Sequence, residues 1–224
     1  MEHEQTFSPA VEDYAKAISA LETRSGEAVS TTALAERLDV SPASASGMVR
    51  KLDELGLVTH VPYRGVQLTP KGARVALEVL RHHRLLELYL AEQLGVPWDR
   101  VHQEAEALEH VISEDLEARI AAKLGQPTHD PHGDPIPTLE GEIDESSSVA
   151  LGDLQPGDGG VFVRVSDSDP EMLRYLSERG IAPGDSLEVL ERQPFDGPLL
   201  VRFGSGDHAL GGDLVRMMRV KQSG

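Results

Sequence analysis

His102, Glu106, Glu109 and His110 stand at spacings i, i+4, i+7 and i+8, so on a helix all four side chains share one stripe. Imidazole nitrogens and carboxylate oxygens converging in this way can hold a cation. Apolar Val101, Ala105, Leu108 and Ile112 are interleaved beside the stripe, which an entirely solvated face would not need. His83 and Glu87 form a second i, i+4 pair that a turn at Gly95 could bring near by antiparallel packing, and Asp13 adds a carboxylate from the first helix. The chain has no cysteine, so thiolate zinc sites, disulfides and cysteine nucleophiles are excluded together. Oxygen and nitrogen donors without sulfur suit hard or borderline ions such as Mn²⁺ or Fe²⁺ in octahedral geometry. The Irving–Williams order places Mn²⁺ weakest, so geometry must supply any discrimination against Zn²⁺. A plainer reading stands beside this one. Between Asp99 and Glu145 there are 13 acids and 3 bases, so Glu and His neighbours also arise in an acidic helix, and His83 with Glu87 is also an ordinary helix-surface pair.

Positioning these groups falls to helices. Apolar positions recur at three- and four-residue spacing through the first 125 residues, as in Val11, Tyr14, Ala15, Ile18 and Leu21. Thr31 to Leu38, a tight turn at Asp39 to Ser41, and Pro42 to Leu55 read as helix, turn, helix, with Ser41 as cap and Pro42 in the first turn. Leu57 to His60 and Val66 to Thr69 alternate apolar and polar residues around Pro62 to Gly65, a hairpin. A long helix is expected from Lys71 to Leu94. The next is expected to open at Pro97 and Trp98 and to run to about Leu124.

Composition permits DNA binding only through a local face. The 224 residues carry 21 Lys and Arg against 38 Asp and Glu, a net charge of −17 that repels polyanions. Between Ala28 and Arg81, however, seven bases face five acids. Arg37, Arg50, Lys51 and Arg64 fall where a winged helix needs phosphate contacts, and Ser41, Ser44 and Ser46 open the recognition helix without bulk. Serines at a helix start are also ordinary caps, and helix-turn-helix shapes also serve as scaffolds.

Thr128 to Ser148 is rich in proline, glycine, acid and serine and reads as loop and linker. Beyond it, strands are expected at Gly159 to Val165, Ser186 to Arg192, Leu199 to Phe203 and Val215 to Val220, with one helix at Glu171 to Arg179, which suits a small barrel. The expected fold class is multidomain α+β: a winged helix-turn-helix at residues 1–74, an all-α metal-binding and dimerisation domain at 75–140, a linker at 141–150 and an SH3-like β-barrel at 151–224. The polar N-terminus and the absence of a run of roughly 20 apolar residues point to a cytoplasmic protein without membrane association.

These residues resemble the diphtheria toxin repressor family of metal-dependent transcriptional regulators. The resemblance spans nearly the whole chain and rests on Val11-Glu12-Asp13-Tyr14, the helix-turn-helix, LTPKG at Leu68 to Gly72, and HHRLLELYL at His82 to Leu90. It includes VHQEAEALEHVISEDLEARI at Val101 to Ile120 and DPHGDPIP at Asp130 to Pro137. It implies a primary metal site of Asp13, Glu106, Glu109 and His110. An ancillary site follows from His83, Glu87 and His102, with Asp167 and Asp169 as further candidates from a C-terminal domain of the FeoA type. Carboxylates at Asp13 and Glu106, where iron-responsive members carry Met and Cys, make the chain similar to the manganese type. Short manganese-type members have a glutamate where Lys16 stands, and a lysine ammonium could fill that space.

The expected function is therefore a Mn²⁺-dependent, non-enzymatic regulator, with Co²⁺ or Zn²⁺ as surrogate ions. It would act as a homodimer on a palindromic double-stranded operator and repress manganese uptake genes. The alternatives are Fe²⁺ as the physiological ion, or a winged-helix regulator that senses an organic ligand. A metallohydrolase lacks an assignable nucleophile-activating group.

Overall fold

Serine caps and glycine stops cut the N-terminal half into helices. The computed structural model describes residues 7–61, 63–144, 147–195 and 197–223, so Pro62 of the expected hairpin turn and residues 145 and 146 of the expected linker lie outside the described residues. Helix α1, Pro9–Ser25, follows Ser8 and ends at Gly26 in the left-handed region, φ 68°. Helix α2, Thr31–Arg37, is capped by Ser30, whose side chain accepts from the Ala33 amide. Helix α3, Pro42–Glu54, is capped by Ser41, which accepts from the Ser44 amide, with Pro42 in the first turn as expected. Strands β1, Val58–Val61, and β2, Gly65–Leu68, pair antiparallel with Val58 opposite Leu68. Val29 bridges Val66, which adds a third extended segment to the wing.

The chain divides into two compact units. One holds the chain through His82 together with Glu109–Ile112 and Pro137–Glu142; the other holds His83–Leu108, Ser113–Ile136 and Ile143 onward. The segment expected as a separate helical domain, 75–140, is thus shared between them, and α4, Pro70–Leu94, passes from the first into the second.

In the first unit Val11, Ile18, Leu34, Leu52, Leu57 and Val66 form the core of the winged helix-turn-helix. Glu22 Oε1 accepts from the Leu68 amide at 2.9 Å, pinning α1 to β2. Gly72 permits the close approach of α4 to the wing: a Cβ there would stand 2.0 Å from the Leu57 carbonyl oxygen.

In the second unit the single helix expected from Pro97 to Leu124 is two. Helix α5 covers Val101–Leu108 and α6 covers Glu114–Lys123. Pro97 does not open a helix; its carbonyl accepts from the Arg100 amide in a turn. The break has a local cause, because Ser113 caps α6 by accepting from Leu116 N, and Glu114, Asp115 and Glu117 complement the positive helix start.

The C-terminal part of the second unit is an antiparallel six-stranded sheet in the order β3-β8-β4-β5-β6-β7. Its strands are β3, Val149–Ala150; β4, Gly159–Arg164; β5, Ser186–Arg192; β6, Leu199–Phe203; β7, Gly206–Leu210; and β8, Arg219–Gln222. Helix α7, Pro170–Ser177, sits between β4 and β5 and packs Leu173 and Leu176 into the core with Phe162 and Val189. The strand expected at Val215 to Val220 is half helix: α8 covers Asp213–Met217, and only Arg219 onward pairs with β4. Gly212, at φ 62° and ψ −137°, turns the chain so that Leu214 enters the core from a helix instead of a strand. Strand β7, unexpected because Gly-Asp-His-Ala-Leu lacks apolar alternation, is held by its hairpin with β6, Phe203 opposite Gly206.

The expected linker is partly anchored. Asp130 Oδ1 accepts from the His132 and Asp134 amides, 2.8 Å each, His132 O accepts from Val165 N, and Asp130, His132 and Ile136 are buried.

Candidate metal centres and DNA-binding face

In the first unit, α1 presents Glu12, Asp13 and Lys16 to the turn that carries Glu109 and His110. His110 Nε2 lies 2.9 Å from Asp13 Oδ1 and 3.4 Å from Glu109 Oε1. Its other ring nitrogen, Nδ1, lies 2.6 Å from Glu12 Oε2. Lys16 Nζ donates to Glu109 Oε1 at 2.5 Å. Asp13, Glu109 and His110 each bring one ligand atom within 4.8 Å of the others. Burial pushes the Asp13 carboxyl upward against the opposing pull of His110 and Lys16, and the nearby Glu109 adds to the rise. Such a set costs free energy without positive charge and gains from a cation.

The second unit assembles another set. His83 Nε2 donates to Glu87 Oε1 at 3.0 Å, and His102 Nδ1 stands 3.3 Å from the same oxygen and 3.1 Å from Asp167 Oδ2. His83, Glu87, His102 and Asp167 bring their ligand atoms within 4.8 Å. Glu87, Asp130 and His132 form a contiguous, fully buried triplet that shares Glu87. His132 is oriented by the Trp98 carbonyl, which accepts from Nε2 at 2.8 Å, and by stacking on the Trp98 ring. Its Nδ1 and Glu87 Oε2, 3.8 Å apart, are buried atoms without a hydrogen-bond partner among the described residues. Two such buried polar atoms 3.8 Å apart fit a site built for a further polar or cationic group.

The electrostatics agree. Burial opposes the charge on Glu87, yet the hydrogen bond from His102, the nearby His132 imidazole and the hydrogen bond from His83 outweigh it and hold the carboxyl well below its usual range. The Asp167 hydrogen bond, then that of Glu87, raise His102 to about 10. His132 is held down by burial but lifted further by Glu87, to about 9. Burial, then the neighbouring Asp134 and Glu87, drive Asp130 upward. The imidazoles thus supply the positive charge that these carboxylates require.

The residues singled out in sequence are distributed as follows. Asp13, Glu109 and His110 come together, and His83, Glu87 and His102 come together with Asp167. Glu106 lies beside the second set, 3.8 Å from His83 Nδ1 and 3.9 Å from His102 Nε2. The single helical stripe does not form, because α5 stops at Leu108 and leaves Glu109 and His110 in a turn. Asp169 is occupied as the cap of α7, accepting from the Glu171 and Met172 amides. Glu12, Asp130 and His132 escaped the sequence reading. Glu12 neighbours Asp13, and Asp130 with His132 belong to the DPHGDPIP run, but nothing in residue spacing says that this loop returns to Glu87.

On the first unit's DNA-facing candidates, Arg37, Ser41, Ser44, Ser46, Arg50, Lys51 and Arg64 are all exposed. Ser41 spends its side chain on the cap of α3 and on Ser44, 2.8 Å between hydroxyls. Ser46 and Arg50 are one turn apart on α3, so they share a face, and Arg64 sits at the wing tip next to Tyr63.

Three family models match successive stretches of the chain. They are the iron dependent repressor N-terminal DNA binding domain at residues 6–66, the iron dependent repressor metal binding and dimerisation domain at 69–138, and the FeoA domain, an SH3-like module, at 149–222. The chain is 34% identical over 201 residues to the iron-dependent repressor IdeR of Mycobacterium tuberculosis, covering 84% of this chain and 87% of that protein. It is 29% identical over 199 residues to the diphtheria toxin repressor of Corynebacterium diphtheriae, covering 84% and 87%. Among solved structures, a manganese-dependent transcriptional repressor in complex with manganese superposes with TM-score 0.86 at 44% identity, over 95% of this chain and all of that one. The matched domains make DNA and a second copy of the chain its partners, with a divalent metal as cofactor and no enzymatic activity, and no described helix is long and apolar enough to cross a membrane. With this fold, these oxygen and nitrogen donor sets and these relatives, the chain belongs to the diphtheria toxin repressor family of metal-dependent, DNA-binding transcriptional repressors.

Proposed function

We propose that the chain is a manganese-responsive repressor in which Mn²⁺ acts as corepressor. The observation that carries this reading is the donor set of Asp13, Glu109 and His110, which joins α1 to the turn after α5 with oxygen and nitrogen atoms and no sulfur. Bound there, a divalent cation supplies the charge that lets the two carboxylates remain together. The residues do the rest: Asp13 carries the effect to α1, whose buried face packs on the winged helix-turn-helix, and α1 is thereby ordered against α3 and the wing. Likeness to the manganese-bound structure supports manganese; likeness to proteins named iron-dependent repressors supports a second reading with Fe²⁺.

We assign His83, Glu87, His102, Asp130, His132 and Asp167 to a second cation site, supported by the unsatisfied Glu87 and His132 atoms. Glu106 is the fourth ligand expected for the first site, and its place beside His83 and His102 makes it a candidate for either. A homologue 26% identical was solved with Zn²⁺ bound, which supports surrogate ions. On the DNA side, Arg37, Arg50, Lys51 and Arg64 serve phosphates, while Ser41, Ser44 and Ser46 allow close approach to a palindromic operator, read by a homodimer with two-fold symmetry. Its targets on this reading are manganese uptake genes.

The test is to incubate metal-stripped full-length protein with sheared DNA from its source, with Mn²⁺, with Fe²⁺ under anaerobic conditions, and with chelator, and to sequence the retained fragments. A few palindromic sites recovered with Mn²⁺ alone support the reading, and recovery lost in Asp13→Ala ties it to this site. Fe²⁺-restricted recovery favours the second reading. Equal recovery with chelator removes metal from control.

A further inference from the structure

Lys16 lies one turn beyond Glu12 and Asp13 on α1, and its ammonium donates to Glu109 Oε1 at 2.5 Å. The lysine side chain keeps 19% of its exposure, whereas the Glu109 side chain has none. A carboxylate taken wholly out of water needs positive charge, and here an ordinary side chain provides it within the donor set that a metal would use. Lys16 also acts on Asp13, whose carboxyl it stabilises in the charged form.

We propose that the Lys16 ammonium is a resident cation of the Asp13, Glu109 and His110 site, which a divalent metal must displace from Glu109. Two effects then act with the same sign. The metal-free protein is favoured by the Lys16–Glu109 pair, which is lost on loading, and the loaded protein carries a lysine charge next to a divalent one. Both weaken metal affinity, so Lys16 sets the metal concentration at which the protein responds. The proposal rests on Asp13, Glu109 and His110 being a metal site.

The test titrates Mn²⁺ into full-length wild type, Lys16→Met, Lys16→Arg and Asp13→Ala, reading free Mn²⁺ by electron paramagnetic resonance, and compares melting temperatures with and without the ion. Lys16→Met should bind on the order of tenfold more tightly, melt lower than wild type without metal, and gain more on loading. Lys16→Arg, which keeps the charge, should bind within about twofold of wild type. Equal or weaker binding by Lys16→Met overturns the proposal. Unchanged binding by Asp13→Ala overturns the site itself. If Lys16→Met does not fold, amine-reactive labelling of wild type decides, with the other lysines as internal references. Labelling of Lys16 should rise when Mn²⁺ is added, and unchanged labelling refutes displacement.

Discussion

Glu12 Oε2 lies 2.6 Å from His110 Nδ1, which leaves the opposite ring nitrogen aimed at Asp13. A carboxylate behind an imidazole fixes its tautomer and strengthens it as a ligand, and loss of such a partner costs roughly 10–100-fold in metal affinity. Glu12→Ala should therefore weaken Mn²⁺ binding by about that factor while sparing chelator-insensitive properties such as metal-free folding. Titration with Mn²⁺ alongside metal-free circular dichroism checks this; undiminished affinity would show that Glu12 does not position His110.

His132 should matter in the second unit as Asp13 does in the first. Removing its imidazole takes away the hydrogen bond to the Trp98 carbonyl and empties the space beside the Trp98 ring. His132→Ala is expected to lose one Mn²⁺ per chain in equilibrium dialysis. It should also lower stability by about 1–3 kcal/mol through the Trp98 carbonyl left without that donor. Unaltered stoichiometry would argue that His132 is only a packing residue.

The pH dependence has a definite direction. His102 rises from an ordinary 6.5 to about 10 in the folded, metal-free protein, through Asp167 first and Glu87 second. A group whose folded value is raised stabilises the fold fully below its unfolded value, and that contribution fades as pH climbs through the folded value. The melting temperature of metal-free protein should consequently fall between about pH 6.5 and 10, with His102→Gln flattening the curve. Mn²⁺ uptake by this set should strengthen over the same interval, since its imidazoles must lose their protons. A melting temperature that rises with pH in this window would contradict the assigned network.

Two glycines should respond oppositely to alanine. At Gly72 a Cβ would stand 2.0 Å from the Leu57 carbonyl oxygen, so Gly72→Ala must shift α4 or the wing and should cost at least about 2 kcal/mol. At Gly47, inside α3, a Cβ meets nothing within 4 Å. Gly47→Ala should add roughly 0.5–1 kcal/mol by helix propensity. Denaturant unfolding of the two variants separates them.

Local signals were sufficient for much of this protein. Ser30, Ser41 and Ser113 mark helix starts through their own side chains, and Pro42 needs no partner to favour a first turn. The absence of cysteine and the concentration of Glu and His around residues 83–110 marked the candidate donor chemistry, and the basic residues of α3 and the wing marked a candidate face for DNA. These properties live in residue identity and short spacing, which a chain carries before it folds.

Tertiary structure decided the rest, because it depends on which distant segments meet. That α5 stops at Leu108 broke a stripe that spacing alone had made continuous and left Glu109 and His110 in a turn. That the proline-rich loop folds back placed Asp130 and His132 against Glu87, 43 residues earlier than Asp130 in sequence, where periodicity has no reach. Lys16 meeting Glu109, Glu12 meeting His110, and β7 forming on the edge of β6 are likewise contacts between segments. Their stability comes from burial and charge pairing that exist only once the chain has closed on itself.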